Sequence, residues 1–281
     1  MNGTSLLRCI VICLSLSGFA YSEAKQGLPL WYWRQPAFTN FGDYLSLKIV
    51  ERMVNRPVRV YNRRPANNDK KLLAVGSILS FADTGDVVWG SGINGKLLAK
   101  KAYGFRSLEV RSVRGPLTRK FLKDEFGIDA PAIYGDPALL VPRLFPEFRR
   151  KEKPANRYLF IPHYSEMHRY PKDKYPNVIY PTDPWNEVIE AITDSELVVS
   201  SSLHGVIIAE AFGIPARMII ADKEPLFKYQ DYYLGTGRAD FNAALSVEEA
   251  VRLGGEPPIK IDLQALYDAF PFEYWQLNEN G

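Results

Sequence analysis

The sequence predicts an α/β protein of two Rossmann-like parallel-sheet domains facing a cleft. Three observations carry this. Short apolar runs alternate with helix-period segments, and the alternation restarts in the second half. The runs are apolar throughout rather than every second residue, which suits parallel strands buried on both faces. Between the halves, 143–157 holds Pro146, Pro154 and the charged run Arg149-Arg-Lys-Glu-Lys153, the character of a linker. The expected division is therefore an N-terminal α/β domain over 28–145, a linker over 146–157 and a C-terminal α/β domain over 158–281. At 281 residues the chain is long enough for two cores.

The elements follow in order. Residues 30–33 read as a first strand. In 42–54, Leu45, Ile49, Val50, Met53 and Val54 share one helical face. Residues 72–79, 86–89 and 110–113 are further buried-strand runs. Pro116 suits the first turn of a helix reaching about Phe126. In the second half, 158–161 and 178–180 read as strands. Asp183 and Pro184 read as N-cap and first residue of a helix through about Asp194. Residues 197–200 form a strand that runs into a helix over 203–212, stopped by Gly213 and Pro215. Residues 217–221 are a last strand, and Ser246-Val-Glu-Glu249 is a capping box. The tail from Asp262 is amphipathic and is expected to fold back across the first domain.

Composition narrows the function classes. A net charge of +3 excludes strong electrostatic capture of nucleic acid as the main theme. Both cysteines, Cys9 and Cys13, lie near the start, so no disulfide framework or cysteine metal site is expected. Three dispersed histidines give no metal-ligand spacing. The apolar run after Arg8, ending at Ala20-Tyr-Ser22, is shorter than the ~20 residues that span a bilayer. Residues 1–27 are therefore read as an export signal, a membrane anchor or a misassigned start.

The most informative stretch is Leu197-Val-Val-Ser-Ser-Ser-Leu-His-Gly-Val-Ile-Ile-Ala-Glu-Ala-Phe-Gly-Ile-Pro215. A strand passes directly into a helix, so Ser201, Ser202, His204 and Gly205 gather at a helix N-terminus, where free N–H groups and the helix dipole favour an anion. His204 there can donate to an anionic group or act as a general acid, against the simpler reading of a capping histidine. Glu210 is equally open between a cleft role and a polar group on a packed helix. Gly90-Ser-Gly-Ile-Asn-Gly95 matches the dinucleotide fingerprint, but the acidic residue expected about 20 positions on, Glu109, starts its strand instead of ending it. It is read as a tight turn lining the cleft, with a dinucleotide site the minority reading.

Ser-Ser-Leu-His-Gly with Ala-Glu-Ala-Phe-Gly-Ile-Pro resembles the late signature of the polysaccharide pyruvyl transferases. Four further stretches are similar to that family's motifs, in its order: Asn40-Phe-Gly-Asp-Tyr-Leu45, Trp89-Gly-Ser-Gly-Ile93, Val113-Arg-Gly-Pro-Leu-Thr-Arg119 and Tyr134-Gly-Asp-Pro-Ala-Leu139. Ile161-Pro-His-Tyr164 is similar to the exopolysaccharide-modifying branch. The resemblance implies a GT-B-like arrangement and transfer of pyruvate from phosphoenolpyruvate onto a lipid-linked or nucleotide-linked sugar as a cyclic ketal. It implies no cofactor beyond that donor substrate and no metal.

In that picture His204 is the acid and Asp43 the base, an N-terminal helix carboxylate being the simpler reading of Asp43. Arg114, Ser201, Ser202, Gly205, Gly90, Ser91 and Gly92 bind the donor. Asn40, Gly42, Asp136, His163 and Glu210 line the cleft or the acceptor, Asp136 being a turn residue first. Some family members carry an arginine where this chain has Ser202, so that role passes elsewhere, Arg217 and Lys228 being the candidates. Because phosphoenolpyruvate is cytosolic, the expected place is the cytoplasm, at the inner face of the membrane, with a peripheral membrane contact. The alternatives are a GT-B glycosyltransferase using a nucleotide sugar and a non-catalytic glycan-binding protein.

Overall fold

The computed structural model describes residues 27–61 and 70–275. The signal-or-anchor segment falls, Gly27 apart, outside the described residues. Among the described residues no helix is long and apolar enough to cross a membrane.

Two parallel sheets form. The first holds β1 (Leu30–Trp31), β2 (Leu72–Leu73), β3 (Val87–Trp89) and β4 (Glu109–Ser112), in that order. The second holds β5 (Leu159–Ile161), β6 (Val198–Ser200) and β7 (Ala216–Met218). Single parallel bridges widen both: Val60 lies beside Leu30 and Tyr134 beside Val113, while Val178 lies beside Phe160 and Ala244 beside Ile219. From β1 the chain therefore pairs at Val60 on one side, then returns to the other side for β2. From β5 it repeats the path through Val178 to β6. The strand order reverses between β1 and β2 and between β5 and β6, and ligands of open α/β sheets bind beyond the strand ends at such reversals.

The helices follow the local chemistry. Helix α1 (Phe41–Val54) is capped by Asn40, whose Oδ1 accepts from Gly42 N–H at 3.0 Å, and it buries Leu45, Ile49, Val50, Met53 and Val54. Helix α2 (Pro116–Phe126) starts on its proline and ends at Gly127, φ +70°. Helices α3 (Val141–Leu144) and α4 (Trp185–Thr193) follow. Helix α5 (Leu203–Ala211) is apolar almost all round and correspondingly buried. Helices α6 (Phe227–Gly235), α7 (Val247–Leu253) and α8 (Leu263–Asp268) complete the set. Ser246 caps α7 through Glu249 N–H at 3.1 Å, but the Glu249 carboxylate accepts from Leu245 N–H, not from the cap residue.

Three expectations need correction. Residues 178–180 make a single bridge rather than a strand, because Pro176 and Pro181 bracket them and remove ladder donors. Asp183 does not cap α4: its carboxylate accepts from Tyr180 N–H at 2.8 Å and pairs with Lys172, closing the preceding turn. The run 72–79 yields only a two-residue strand, because Gly76 turns the chain at φ +105° and 79–81 is a 3₁₀ turn.

One apolar cluster serves both sheets. It joins Leu30 and Leu72 of the first sheet, Leu45 and Ile49 of α1, Leu139 and Val141, Val188 of α4, and Val206 and Ile207 of α5. Truncating any such leucine to alanine costs about 2–5 kcal/mol. The tail lies against the first sheet: Trp89 Nε1–H donates to Leu266 C=O at 2.8 Å and its ring meets Phe270 edge-on at 4.8 Å.

Candidate active site

A cavity of about 310 Å³ opens beyond the carboxyl ends of both sheets, at both reversals of strand order. Trp33 reaches it from the end of β1, and Gly76 and Ser77 from the end of β2. His163 and Tyr164 follow β5, Ser202 and His204 follow β6, and Glu224 and Lys228 follow β7.

The N-termini of α1 and α5 meet on one wall. Phe41 N–H donates to Pro181 C=O at 2.7 Å, and a β-carbon at Gly42 would stand 2.0 Å from Nδ1 of His204. Only glycine lets α1 approach the imidazole this closely. Nε2 of His204 is buried without a hydrogen-bond partner and lies 3.8 Å from Oδ2 of Asp136. The Gly-Asp-Pro turn holds that carboxylate: Oδ1 accepts from Ala138 N–H at 3.0 Å and Oδ2 from Gly76 N–H at 3.3 Å. Asp43 shares the wall, 3.5 Å from where a β-carbon of Gly76 would be. Burial pushes its carboxyl up to about 6, with His204 and Lys228 pulling it down and Asp136 pushing it further up. A raised carboxyl and an imidazole on one wall are two groups able to move protons.

The opposite wall is charged. His163 N–H donates to Ser201 Oγ at 2.7 Å, its Nδ1 meets the Ser165 hydroxyl at 2.8 Å, and its Nε2 lies 3.8 Å from Glu224. Burial and the nearby Lys228 and Lys96 push His163 down to about 4, Glu224 opposing, so it is neutral at pH 7. Glu224 sits between Lys96 and Lys228, 2.5 Å from each. Burial raises its carboxyl, but the two lysines outweigh this and hold it below the usual range. Burial in turn lowers Lys228, against the pull of Glu224. At the mouth, Trp33, Phe38 and Tyr164 gather with ring centroids 5.5 to 6.5 Å apart.

The candidates read from sequence separate accordingly. Asn40, Asp43, His163, Ser202 and His204 line the cavity, with Gly42 and Asp136 directly behind the His204 wall. The rest lie elsewhere. Arg114 is wholly buried and does not reach the cavity: it pairs with Asp231 at 3.0 Å, donates to Ile93 C=O at 2.7 Å and holds Ser77 Oγ. With Asp231 neutralising it, Arg114 is a poor grip for a phosphate. Ser201 is buried between His163 N–H and Glu166. Gly205 serves close packing, since a β-carbon would meet Ser200 Oγ at 2.4 Å. Gly90, Ser91 and Gly92 pack against Pro137, Gly76 and Arg114, and the element after them is the short 3₁₀ turn Lys100–Ala102, not the α-helix a dinucleotide fingerprint opens. Glu210 is held by Arg238 and the Tyr232 hydroxyl, which ties α5 to the chain after α6. Arg217 is engaged by Glu256 and by Gly254 C=O, so of these two candidates Lys228 is the one that lines the cavity.

Sequence reasoning missed Lys96, Glu224 and the aromatic mouth. The available signal was position: each follows a strand's carboxyl end, and Glu224 and Lys228 are four residues apart.

Comparison with known proteins follows the same lines. The sequence model described as Polysaccharide pyruvyl transferase matches residues 8–222. The chain is 32% identical over 217 residues to the Succinoglycan biosynthesis protein ExoV of Rhizobium meliloti (strain 1021), covering 72% of this chain and 63% of that protein. It is 30% identical over 205 residues to the Uncharacterized protein L143 of Acanthamoeba polyphaga mimivirus, covering 69% of each. A solved structure of an uncharacterized protein from Klebsiella pneumoniae subsp. pneumoniae NTUH-K2044 superimposes with a TM-score of 0.51 at 11% identity, over 79% of this chain and 94% of that one, which is a likeness of fold. With the family's model matched over most of its length, this chain belongs to the polysaccharide pyruvyl transferase family.

Proposed function

We propose that this protein transfers pyruvate from phosphoenolpyruvate to two hydroxyls of a sugar in an exopolysaccharide or cell-envelope glycan precursor, forming a cyclic ketal and releasing phosphate. The observation that carries this is the placement of Asp43 and His204 on one wall of the cavity, where the N-termini of α1 and α5 meet. The Rhizobium relative, a succinoglycan biosynthesis protein, supports the exopolysaccharide setting.

His204 delivers a proton to the methylene carbon of the enol, leaving an oxocarbenium-like centre at the carbon bearing the phosphate. Asp43 takes the proton of the first sugar hydroxyl as it attacks that centre. The bond to the phosphate oxygen breaks with its electron pair, and the second hydroxyl closes the ring, passing its proton to the now neutral His204, which restores the acid. Asp136 stands 3.8 Å behind the imidazole of His204. The positive end of α5, whose N-cap Ser202 makes no side-chain cap, favours the anionic donor. The aromatic mouth offers Trp33 and Tyr164 as faces for the acceptor sugar.

In this reading the two sheets are the lobes of a GT-B-like cleft, 28–145 and 158–281, joined through 146–157, with the tail crossing back. The enzyme works in the cytoplasm beside the membrane. Exposed Leu97 and Leu98, flanked by Lys100 and Lys101 at the cavity rim, would serve a peripheral contact there.

The test is ligand-induced thermal stabilisation of the full chain, since a ligand that binds only the folded state raises its melting temperature. Phosphoenolpyruvate is expected to shift the melt and a panel of nucleotide sugars is not. A shift with a nucleotide sugar alone would move the protein to the glycosyltransferases. Glycan binding with no donor response would make it a non-catalytic binder.

A further inference from the structure

The charged wall of the cavity is assembled from both sheets. Lys96 comes from the loop after β3, while Glu224 and Lys228 follow β7. Each lysine places its Nζ 2.5 Å from a different oxygen of Glu224, and all three residues line the cavity. Each ammonium has three donors, and among the described residues each makes a single hydrogen bond, to Glu224. The trio leaves one net positive charge on a wall where Lys228 and Glu224 are both buried. The Lys96 ammonium is half exposed at the cavity, and Asp43 lies across from the trio.

The neighbouring groups point the same way. His163, the other titratable group on this wall, is neutral at pH 7 and contributes no competing charge. Across the cavity α5 presents its positive end. The charge of Lys228 is felt both at Asp43 and at His163, so it acts on both walls. Arg114 is withdrawn from competition by Asp231.

We propose that Lys228 and Lys96 form the phosphate-binding subsite of this cavity, with Glu224 as the resident counter-ion that holds both ammoniums in place. The ligand group is a phosphate dianion, gripped by one lysine from each sheet opposite the N-terminus of α5. The assignment deepens the pyruvyl-transfer reading and rests on it only for the identity of the molecule that carries the phosphate.

The experiment is calorimetric titration of the full chain with two probes, inorganic phosphate and phosphoenolpyruvate. Lys228→Met is expected to weaken both about tenfold to a hundredfold, the scale of a lost charge-assisted contact, and Lys228→Arg to recover most of the loss. Lys96 is half exposed, so Lys96→Met tests the same subsite without risk to the core, with a loss of about fivefold expected for a more hydrated contact. Wild-type-like phosphate affinity in Lys228→Met, or no phosphate binding by the wild type, would overturn the subsite. Two results separate it from the donor reading. Phosphoenolpyruvate bound equally by wild type and Lys228→Met removes the subsite and leaves the donor standing. Phosphate binding lost in Lys228→Met, with phosphoenolpyruvate no tighter than phosphate in the wild type, keeps the subsite and removes the donor.

Discussion

Nε2 of His204 faces Oδ2 of Asp136 across 3.8 Å, a carboxylate beside an imidazole with no hydrogen bond between them. The two come from different sheets, and each is held by something else. Asp136 is tied to two backbone N–H groups, and His204 is backed by Gly42. The His204 ring therefore borders the cavity with no hydrogen bond at Nε2, an atom that is itself buried.

His204→Gln is expected to lower turnover of phosphoenolpyruvate-dependent ketal formation by about a hundredfold or more, the usual range for a lost general acid. Because Nε2 has no protein partner, the melting temperature should hardly move. A large loss of stability with activity preserved would assign His204 a packing role instead.

Gly42→Ala separates the site from the helix. Alanine favours helix over glycine by about 1 kcal/mol, yet its β-carbon would stand 2.0 Å from the His204 imidazole. The expected result is a stability loss of about 1–3 kcal/mol from the clash with Cβ and Cγ of His204, together with turnover reduced at least about tenfold, since small misplacements of a reacting group are costly. Kinetics and a melt on the same preparation check it.

Asp43 gives a signed pH effect. Its folded value, about 6, lies above its ordinary 3.8, so the folded state holds the extra proton between those values. Its contribution is full below about 4 and is lost as pH rises through 6. The loss is about 2 kcal/mol, after discounting for cavity water. Asp43→Asn should therefore gain stability relative to wild type between pH 4 and 7, read by urea unfolding. A constant difference would mean that the carboxyl is not raised.

His163 works in the opposite sense. Held at about 4 against an ordinary 6.5, it binds fewer protons folded than unfolded, so its contribution is present above 6.5 and lost as pH falls toward 4. His163→Gln should abolish up to about 3 kcal/mol of this acid sensitivity. Imidazole proton shifts followed by NMR across that range would report the titration directly.

Arg114→Ala should act on stability before chemistry. It strands the buried Asp231 carboxylate, which also bonds Thr118, and such a loss costs about 3–5 kcal/mol. Wild-type stability with a raised KM for the donor would instead restore Arg114 to the site.

Much of this was legible locally. Leu45, Ile49 and Met53 mark the buried face of α1 by spacing alone, Ser246 marks the start of α7, and Ser202 and His204 sit at a strand-to-helix junction that composition and order reveal. Strand lengths were less legible, because Gly76, Pro176 and Pro181 interrupt runs whose residue types suit a strand.

The sequence by itself determined the α/β class, the main elements and the family, because these are written in short-range periodicity and ordered motifs. It did not determine which charges face the cavity. Arg114 and Glu210 look as available as Lys228 in the chain, yet Asp231 and Arg238 claim the first two while Lys228 shares Glu224 with Lys96 at the cavity. Only the tertiary structure decided this. An ion pair depends on which distant side chains the packed sheets bring within a few ångströms, and no local pattern encodes that distance.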